Sequence, residues 1–342
     1  MHRIIAVDAM SGDHGPQVVV PAVAKMLAAY PECFIELVGS SDVLKPLVET
    51  VVPQSYQSRL TIVASTQVVS MDDAPAVSLR SKKDSSMRVA LDRVKSGQAR
   101  ACVSAGNTGA LMATARFVLK TLPGVDRPAI MATLPTRSEK KVRILDLGAN
   151  VDSSPEHLYQ FAVMGAVLTQ AVGNISSPRV ALLNIGQEQI KGNEVVKAAA
   201  SIFTQRQMFD YVGFIEADQW FMDQADVIVC DGFAGNILLK GMEGIVRFVS
   251  HLGRKEARNS IISGLLAVLA RPFMRRLSTA IDPEHYNGAA FLGLNGIVIK
   301  SHGAAQVDGF YAALEEALLE VNSNIPERIG RGVAEILGKT ES

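Results

Sequence analysis

The sequence predicts an α/β protein, a three-layer αβα architecture around a mostly parallel sheet. Short runs rich in Val, Ile and Leu recur along the chain and are apolar on both faces, as strands covered on two sides must be. Amphipathic stretches separate most of them, with apolar residues returning every three or four positions, and this alternation of strand and helix builds a parallel sheet. The composition is that of an ordinary globule, 342 residues of which 48% are hydrophobic, long enough to bury a large core.

Strands are predicted at 4–7, 33–38, 60–63, 101–104, 129–134, 143–147, 180–185, 212–215, 226–230 and 296–300. Helices are predicted at 84–97, 107–120, 155–173, 187–207, 235–253, 303–322 and 325–338. The chain reads as a single α/β domain over 1–342 with a basic amphipathic arm at about 250–280; LPGVDRP, near 120–140, is the place where a lobe boundary would fit. The 34 basic and 34 acidic residues cancel, so no global field argues for nucleic acid. Cysteines at 33, 102 and 230 are too scattered for a disulfide framework or a zinc motif and fit a reducing compartment, which makes the cytoplasm the expected location. MHRIIAVDAM lacks the apolar core of an export signal, and no uncharged apolar run reaches the roughly 18 residues of a membrane span.

In a doubly wound sheet, ligands bind beyond the carboxyl ends of the strands, where loops feed helix N-termini. Six such loops combine glycine with small polar or charged residues: 8–16, 104–109, 146–152, 184–194, 231–236 and 300–304. All six are expected on one edge. Glycine lets backbone N–H groups come close to a ligand, and the positive end of a following helix favours an anion. The turns SAGNTG and DGFAGN therefore read as two halves of a phosphate cradle, with Gly106, Asn107, Thr108, Asp231 and Gly235 in them and Asp8 and Asn193, on other loops, as further phosphate or substrate contacts. The plainer alternative is that Gly and Asn only cap helices.

Known phosphate motifs are missing. There is no G-x-x-x-x-G-K-[ST], no G-x-G-x-x-G after a strand and no G-x-S-x-G elbow, which disfavours nucleoside triphosphatases, dinucleotide enzymes and α/β-hydrolases. Asp8, Asp13, Asp231 and Glu188 lack a recognisable ligand spacing, so no metal is assigned. Cys230 precedes Asp231, whose carboxylate should raise a thiol pKa, and it reads as a small buried residue rather than a nucleophile. His302 is either an acid–base group or a histidine bonded at a helix start. Lys191, in IKGNE directly after a buried run, reads as an anion contact as readily as a surface lysine.

The segment from Arg254 to Leu277 is of another kind. Arg254, Lys255, Arg258, Arg271, Arg275 and Arg276 bracket an apolar side that includes Leu265 and Leu266. Such an element suits an acidic partner or a membrane surface, and equally an arm packed in a dimer interface.

DAMSGDHGP, SAGNTGALM, RPAI at 127–130, DLGANVD, NIGQEQIKGNE, DVIVCDGFAGNILLK and GLNGIVIKSHG, in that order and spread from residue 8 to 303, resemble the motifs of the phosphate acyltransferases of bacterial phospholipid synthesis. Departures are few. Ser11-Gly12 stands where the family usually has a glycine pair, Gln187-Glu188-Gln189 where it has an acidic run, and Asn287 and Phe291 are unusual. The resemblance implies a three-layer fold similar to the isocitrate and isopropylmalate dehydrogenases without their cofactor, and a homodimer. It implies transfer of an acyl group from acyl-[acyl carrier protein] to inorganic phosphate, with the acyl phosphate passing to a membrane acyltransferase. Lys191 and Asn236 match the family's lysine and asparagine tied to substrate binding and catalysis, and the basic arm becomes a dock for the acidic carrier protein or the inner face of the cell membrane. Two rivals are a nicotinamide-dependent dehydrogenase on the same fold, for which no cluster of metal-binding acids is evident, and a non-catalytic adaptor, which leaves six polar loops without a use.

Overall fold

The apolar runs form the strands of one sheet in a computed structural model that describes residues 3–173, 175–257 and 287–340. The chain opens with β1 (Arg3–Asp8), α1 (Pro16–Ala29), β2 (Cys33–Gly39), α2 (Ser41–Val51), the single turn α3 (Gln54–Gln57) and β3 (Leu60–Ala64). Next come α4 (Pro75–Ser81), α5 (Ser86–Lys95), β4 (Ala101–Ser104), α6 (Thr108–Leu119), β5 (Ala129–Pro135), β6 (Lys141–Leu145) and α7 (Pro155–Gly173). After β7 (Arg179–Leu183), α8 (Glu194–Arg206), β8 (Asp210–Ile215) and β9 (Val227–Val229), the long helix α9 (Gly232–Ala257) runs to the limit of that described stretch. β10 (Ala289–Leu292), β11 (Ile297–Lys300), α10 (Val307–Ser323) and α11 (Ile325–Thr340) complete the fold.

Strand alternation sorts the core into two layers. Ile5, Val7, Val103, Leu145, Val227 and Val229 face one way, toward α1, α7 and α10, while Ala6, Cys102, Ile144 and Ile228 face the other, toward α5 and α6. Successive side chains of a strand point to opposite faces, so runs apolar at every position are what a sheet covered on both sides requires. No helix among the described residues is long and apolar enough to cross a membrane.

The strand order is β3-β2-β1-β4-β11-β10-β5-β6-β9-β7-β8. β3, β2, β1, β4 and β11 are mutually parallel, and so are β6, β9, β7 and β8. Between these groups, β10 pairs antiparallel with both β11 and β5, and β5 pairs antiparallel with β6. The two parallel groups therefore point in opposite directions. This corrects the expectation of a single loop edge: 8–16, 104–109 and 300–304 leave one edge, whereas 146–152, 184–194 and 231–236 leave the other. The helix expected at 187–207 starts at Glu194, because 187–193 belong to the loop that carries Lys191.

Close approach of α7 to the sheet depends on a missing side chain. A Cβ on Gly165 would lie 2.7 Å from Val227 Cγ1 and 2.9 Å from Leu145 Cδ1, both fully buried. Gly165→Ala is expected to lower the unfolding free energy by about 1–3 kcal/mol through overpacking. Urea melts measure this, and an unchanged midpoint would mean that α7 has room to spare.

Candidate active site

The turn into α9 is shaped by the loop beside it. Asp146 organises that loop: Oδ1 accepts from the N–H groups of Ile130, Gly148 and Ala149 at 2.9, 3.2 and 3.0 Å, and Oδ2 accepts from the backbone and side-chain amides of Asn150 at 2.7 and 2.9 Å. Burial pushes the Asp146 carboxyl up from the usual carboxylate range, and these donors oppose the shift. Gly232 N–H donates to the Asn150 carbonyl at 2.8 Å, and a Cβ on Gly235 would overlap the Asp146 carbonyl oxygen. The glycines of DGFAGN thus let α9 start directly against the 146–150 backbone. Asp231 accepts from Ala234 N–H at 2.8 Å and serves as the local cap.

The neighbouring loop, after β7, is pinned by Asn184. Its Nδ2 donates to the Lys191 carbonyl at 3.2 Å and its Oδ1 accepts from Ile185 N–H at 2.9 Å. Gly192, with φ +90°, sits against the same amide, where a Cβ has no space. Asn193 caps α8 by accepting from Val196 N–H at 2.9 Å. What remain are Lys191 and Asn236, both exposed and, among the described residues, without a side-chain hydrogen bond or ion pair. Asn236 lies beside Gly148. β9 lies between β6 and β7, so the loops carrying Asn236 and Lys191 leave adjacent strands on one edge. Exposed Val151, Ile185, Ile190, Phe233 and Ile237 belong to the same loops and the first turns of α9.

The other edge gathers Asp8, Gly106, Asn107, Thr108 and His302. Asp8 is fully buried; its Oδ2 accepts from the Ser104 hydroxyl at 2.7 Å, and Ser104 Oγ in turn accepts from Gly106 N–H at 3.1 Å. Asn107 is engaged at both ends of its amide. Oδ1 caps α6 through Ala110 N–H at 2.9 Å, and Nδ2 donates to the Met71 carbonyl at 2.6 Å. Thr108 is exposed, with no side-chain partner among the described residues. His302 is exposed, and its Nδ1 accepts from Ala304 N–H at 3.2 Å, which leaves the ring proton on Nε2. No hydrogen bond or ion pair among the described residues joins the two loop sets.

One residue escaped the sequence reading. Lys300, the last residue of β11, is only 8% exposed, with its Nζ donating to the Ala105 carbonyl at 3.3 Å and to the Ser301 carbonyl. Burial pushes its pKa down to about 8, Lys240 on α9 adds to the shift, and Asp13 and Asp8 oppose it. Its sequence signal was a cation closing an otherwise apolar strand, GIVIK.

Cys230 is buried and its Sγ donates to the Asp146 carbonyl at 3.4 Å; burial pushes its thiol well up, as the small-residue reading expected. Of the arm, Arg254 and Lys255 lie on α9 and Lys255 is exposed. Arg258, Leu265, Leu266, Arg271, Arg275 and Arg276 lie outside the described residues.

A profile of the family described as "Fatty acid synthesis protein" matches residues 3–328. A phosphate acyltransferase of Coxiella burnetii (strain CbuG_Q212) is 52% identical over 342 residues, covering all of both chains. Among solved structures, EutD phosphotransacetylase from Staphylococcus aureus matches with a TM-score of 0.59 at 16% identity over 94% of each chain. A 4-hydroxythreonine-4-phosphate dehydrogenase from Klebsiella pneumoniae matches with a TM-score of 0.54 at 14% identity, over 94% of this chain and 98% of the other. These two likenesses concern the fold alone, and they agree with the dehydrogenase-like three-layer architecture expected from the sequence.

The depressed pKa of Lys300 has a consequence for stability. Between pH 8 and the ordinary lysine value of 10.5 the unfolded chain binds the proton that the folded chain has lost, so this group penalises the fold fully below pH 8 and ceases to do so as pH rises toward 10.5. Lys300→Met is expected to be more stable than the parent at pH 7, by about 1–3 kcal/mol. The advantage should shrink from pH 8 to 10.5 in parallel chemical melts.

Proposed function

The chain belongs to the phosphate acyltransferase family of fatty acid synthesis, and we propose that it transfers a long-chain acyl group from acyl-[acyl carrier protein] to inorganic phosphate. The observation that carries this reading is the division of labour among the polar turn residues. Asn107, Asn193 and Asp231 are engaged in helix capping, while Lys191 and Asn236, on adjacent loops, have no partner among the described residues. A cationic donor and a neutral amide, both free and bordered by apolar side chains, suit an anionic nucleophile and a fatty thioester.

Phosphate is itself the nucleophile, so the enzyme's task is alignment. An oxygen of hydrogen phosphate attacks the thioester carbonyl carbon, a C–O bond to phosphate forms, and the C–S bond breaks. The proton of hydrogen phosphate ends on the departing sulfur, directly or by way of water or His302, giving acyl phosphate and free thiol; the transfer is reversible. No acyl-enzyme is needed, which is consistent with the burial of Cys230. Lys191 neutralises phosphate or the carbonyl oxygen as charge builds on it, and Asn236 orients one of them, since donors aimed at developing charge act most strongly where water is excluded. No cofactor or metal enters the step.

Charge and apolar surface support the remaining assignments. Ile245, Phe248, Val249 and Leu252 are exposed at i, i+3, i+4 and i+7 on α9, forming an apolar stripe that leads into the arm. In this reading the stripe and arm serve a homodimer and the inner face of the cell membrane, and the enzyme acts as a peripheral cytoplasmic protein that delivers acyl phosphate to a membrane acyltransferase. Arg254, Lys255, Arg258, Arg271, Arg275 and Arg276 steer the acidic carrier protein.

The test is phosphate-dependent release of thiol from palmitoyl-carrier protein. Release should require phosphate, and Lys191→Ala and Asn236→Ala should each lower kcat/KM by about 10²–10³-fold while the circular dichroism spectrum is unchanged. Thiol release that ignores phosphate would defeat the proposal. For the dock, reversing Arg271 and Arg275 to Glu should cut kcat/KM for the carrier substrate about tenfold at low ionic strength and much less at high salt. Equal activity at low salt would remove the arm from carrier recognition.

A further inference from the structure

Three loops on the edge away from Lys191 hold a buried cation that no carboxylate contacts. Lys300 Nζ reaches only the carbonyls of Ala105 and Ser301, and no acidic side chain lies within ion-pair distance of it among the described residues. The charged groups that act on it are Lys240, itself paired with Glu243 at 3.0 Å, and Asp13 and Asp8. Asp8 is engaged by the Ser104 hydroxyl at 2.7 Å and more weakly by Met10 N–H at 3.4 Å. A buried ammonium satisfied only by carbonyls retains much of its desolvation penalty.

A second, independent feature lies against the same segment. Ser11 is 2% exposed, and its hydroxyl has no hydrogen-bond partner among the described residues. It abuts Gly106, where a Cβ would come within 3.0 Å of Ser11 Cβ and 3.1 Å of its Oγ. Gly12, with φ +90°, packs against Ala105, and Asp13 N–H donates to the Gly303 carbonyl at 2.8 Å, so the loops after β1, β4 and β11 form one unit. The Asn107 side chain is committed to capping and to Met71, which leaves binding on this edge to other groups.

We propose that Lys300 and Ser11, held by the loops 8–16, 104–109 and 300–304, form an anion site that takes the inorganic phosphate consumed in the reaction. This rests on the phosphate acyltransfer described above and leaves Lys191 and Asn236 to the thioester carbonyl; Lys240, four residues past Asn236 on α9, is within electrostatic reach of Lys300, which brings the two loop sets near each other. The anion supplies Lys300 with a countercharge in direct contact, which Asp8 and Asp13 do not, and Ser11 with an acceptor, and the N-terminus of α6 beside them adds a favourable dipole. The same chemistry would suit the phosphodiester of a carrier protein's prosthetic arm, and the test separates the two.

Lys300→Met, and Ser11→Gly, which restores the residue usual in the family, are compared with the parent in steady-state assays and in thermal melts with inorganic phosphate or dimethyl phosphate. The expected result is a phosphate KM raised at least tenfold in Lys300→Met and severalfold in Ser11→Gly, with the KM for acyl carrier protein unchanged. Parent kcat/KM for phosphate should fall above pH 8 as Lys300 loses its proton, and Lys300→Met should lack that limb. Inorganic phosphate should raise the melting temperature of the parent and not of Lys300→Met. An unchanged phosphate KM in either variant, equal increases in both KM values, or protection by dimethyl phosphate as strong as by phosphate would each overturn the site. If the parent releases no thiol, the acyl-transfer reading fails, and the phosphate-dependent melts still decide whether Lys300 holds the anion.

Discussion

The antiparallel seam β11-β10-β5-β6 is the constraint on which the rest of the molecule depends. It joins two parallel groups of strands that run in opposite senses, and so it sends three polar loops to one edge and three to the other. On α9, Lys240 lies four residues past Asn236, about 6 Å of rise at 1.5 Å per residue, and is within electrostatic reach of Lys300, so the two sets of loops come near each other around the start of this helix.

Within that frame, the polar residues of the turns divide into those that build and those left over. Asn107, Asn193 and Asp231 close helix ends, and Asp146 holds its loop with five donors. Lys191 and Asn236 have no such task among the described residues, and Lys300 is held in a position that costs the fold stability. A chain that accepts a buried, poorly compensated cation breaks a local rule, and such exceptions concentrate where function is exerted.

Much of this was legible from residue pattern. All ten predicted apolar runs became strands, because branched side chains at successive positions tolerate little else once both faces are covered. β10 went unread: AAFL is short, and small residues carry little periodic signal. α1 and α2 contain Pro21 and Pro46, which obscured their helical character. The edge assignment failed for a different reason. The reversal comes from the antiparallel pairing of β5 with β6 across the short turn 136–140, since β10, antiparallel to both of its neighbours, leaves β11 and β5 pointing the same way; nothing in the apolar runs themselves marks that hairpin. At the site, glycine-asparagine turns were visible, but which asparagine caps and which is free is settled by neighbours such as Met71 and Gly148 that lie far away in sequence. Lys300 was read as the end of a strand because burial of a lysine leaves no mark in composition.

The three cysteines point to a practical property. Cys33, Cys102 and Cys230 are all buried, and burial pushes every one of their thiols up, Cys33 to about 12. Reactivity toward electrophiles follows the thiolate, so the folded protein is nearly silent to alkylating and disulfide reagents at neutral pH. A chromogenic disulfide can then sit in the cuvette throughout turnover, reporting each released carrier thiol continuously while the catalyst itself contributes no colour.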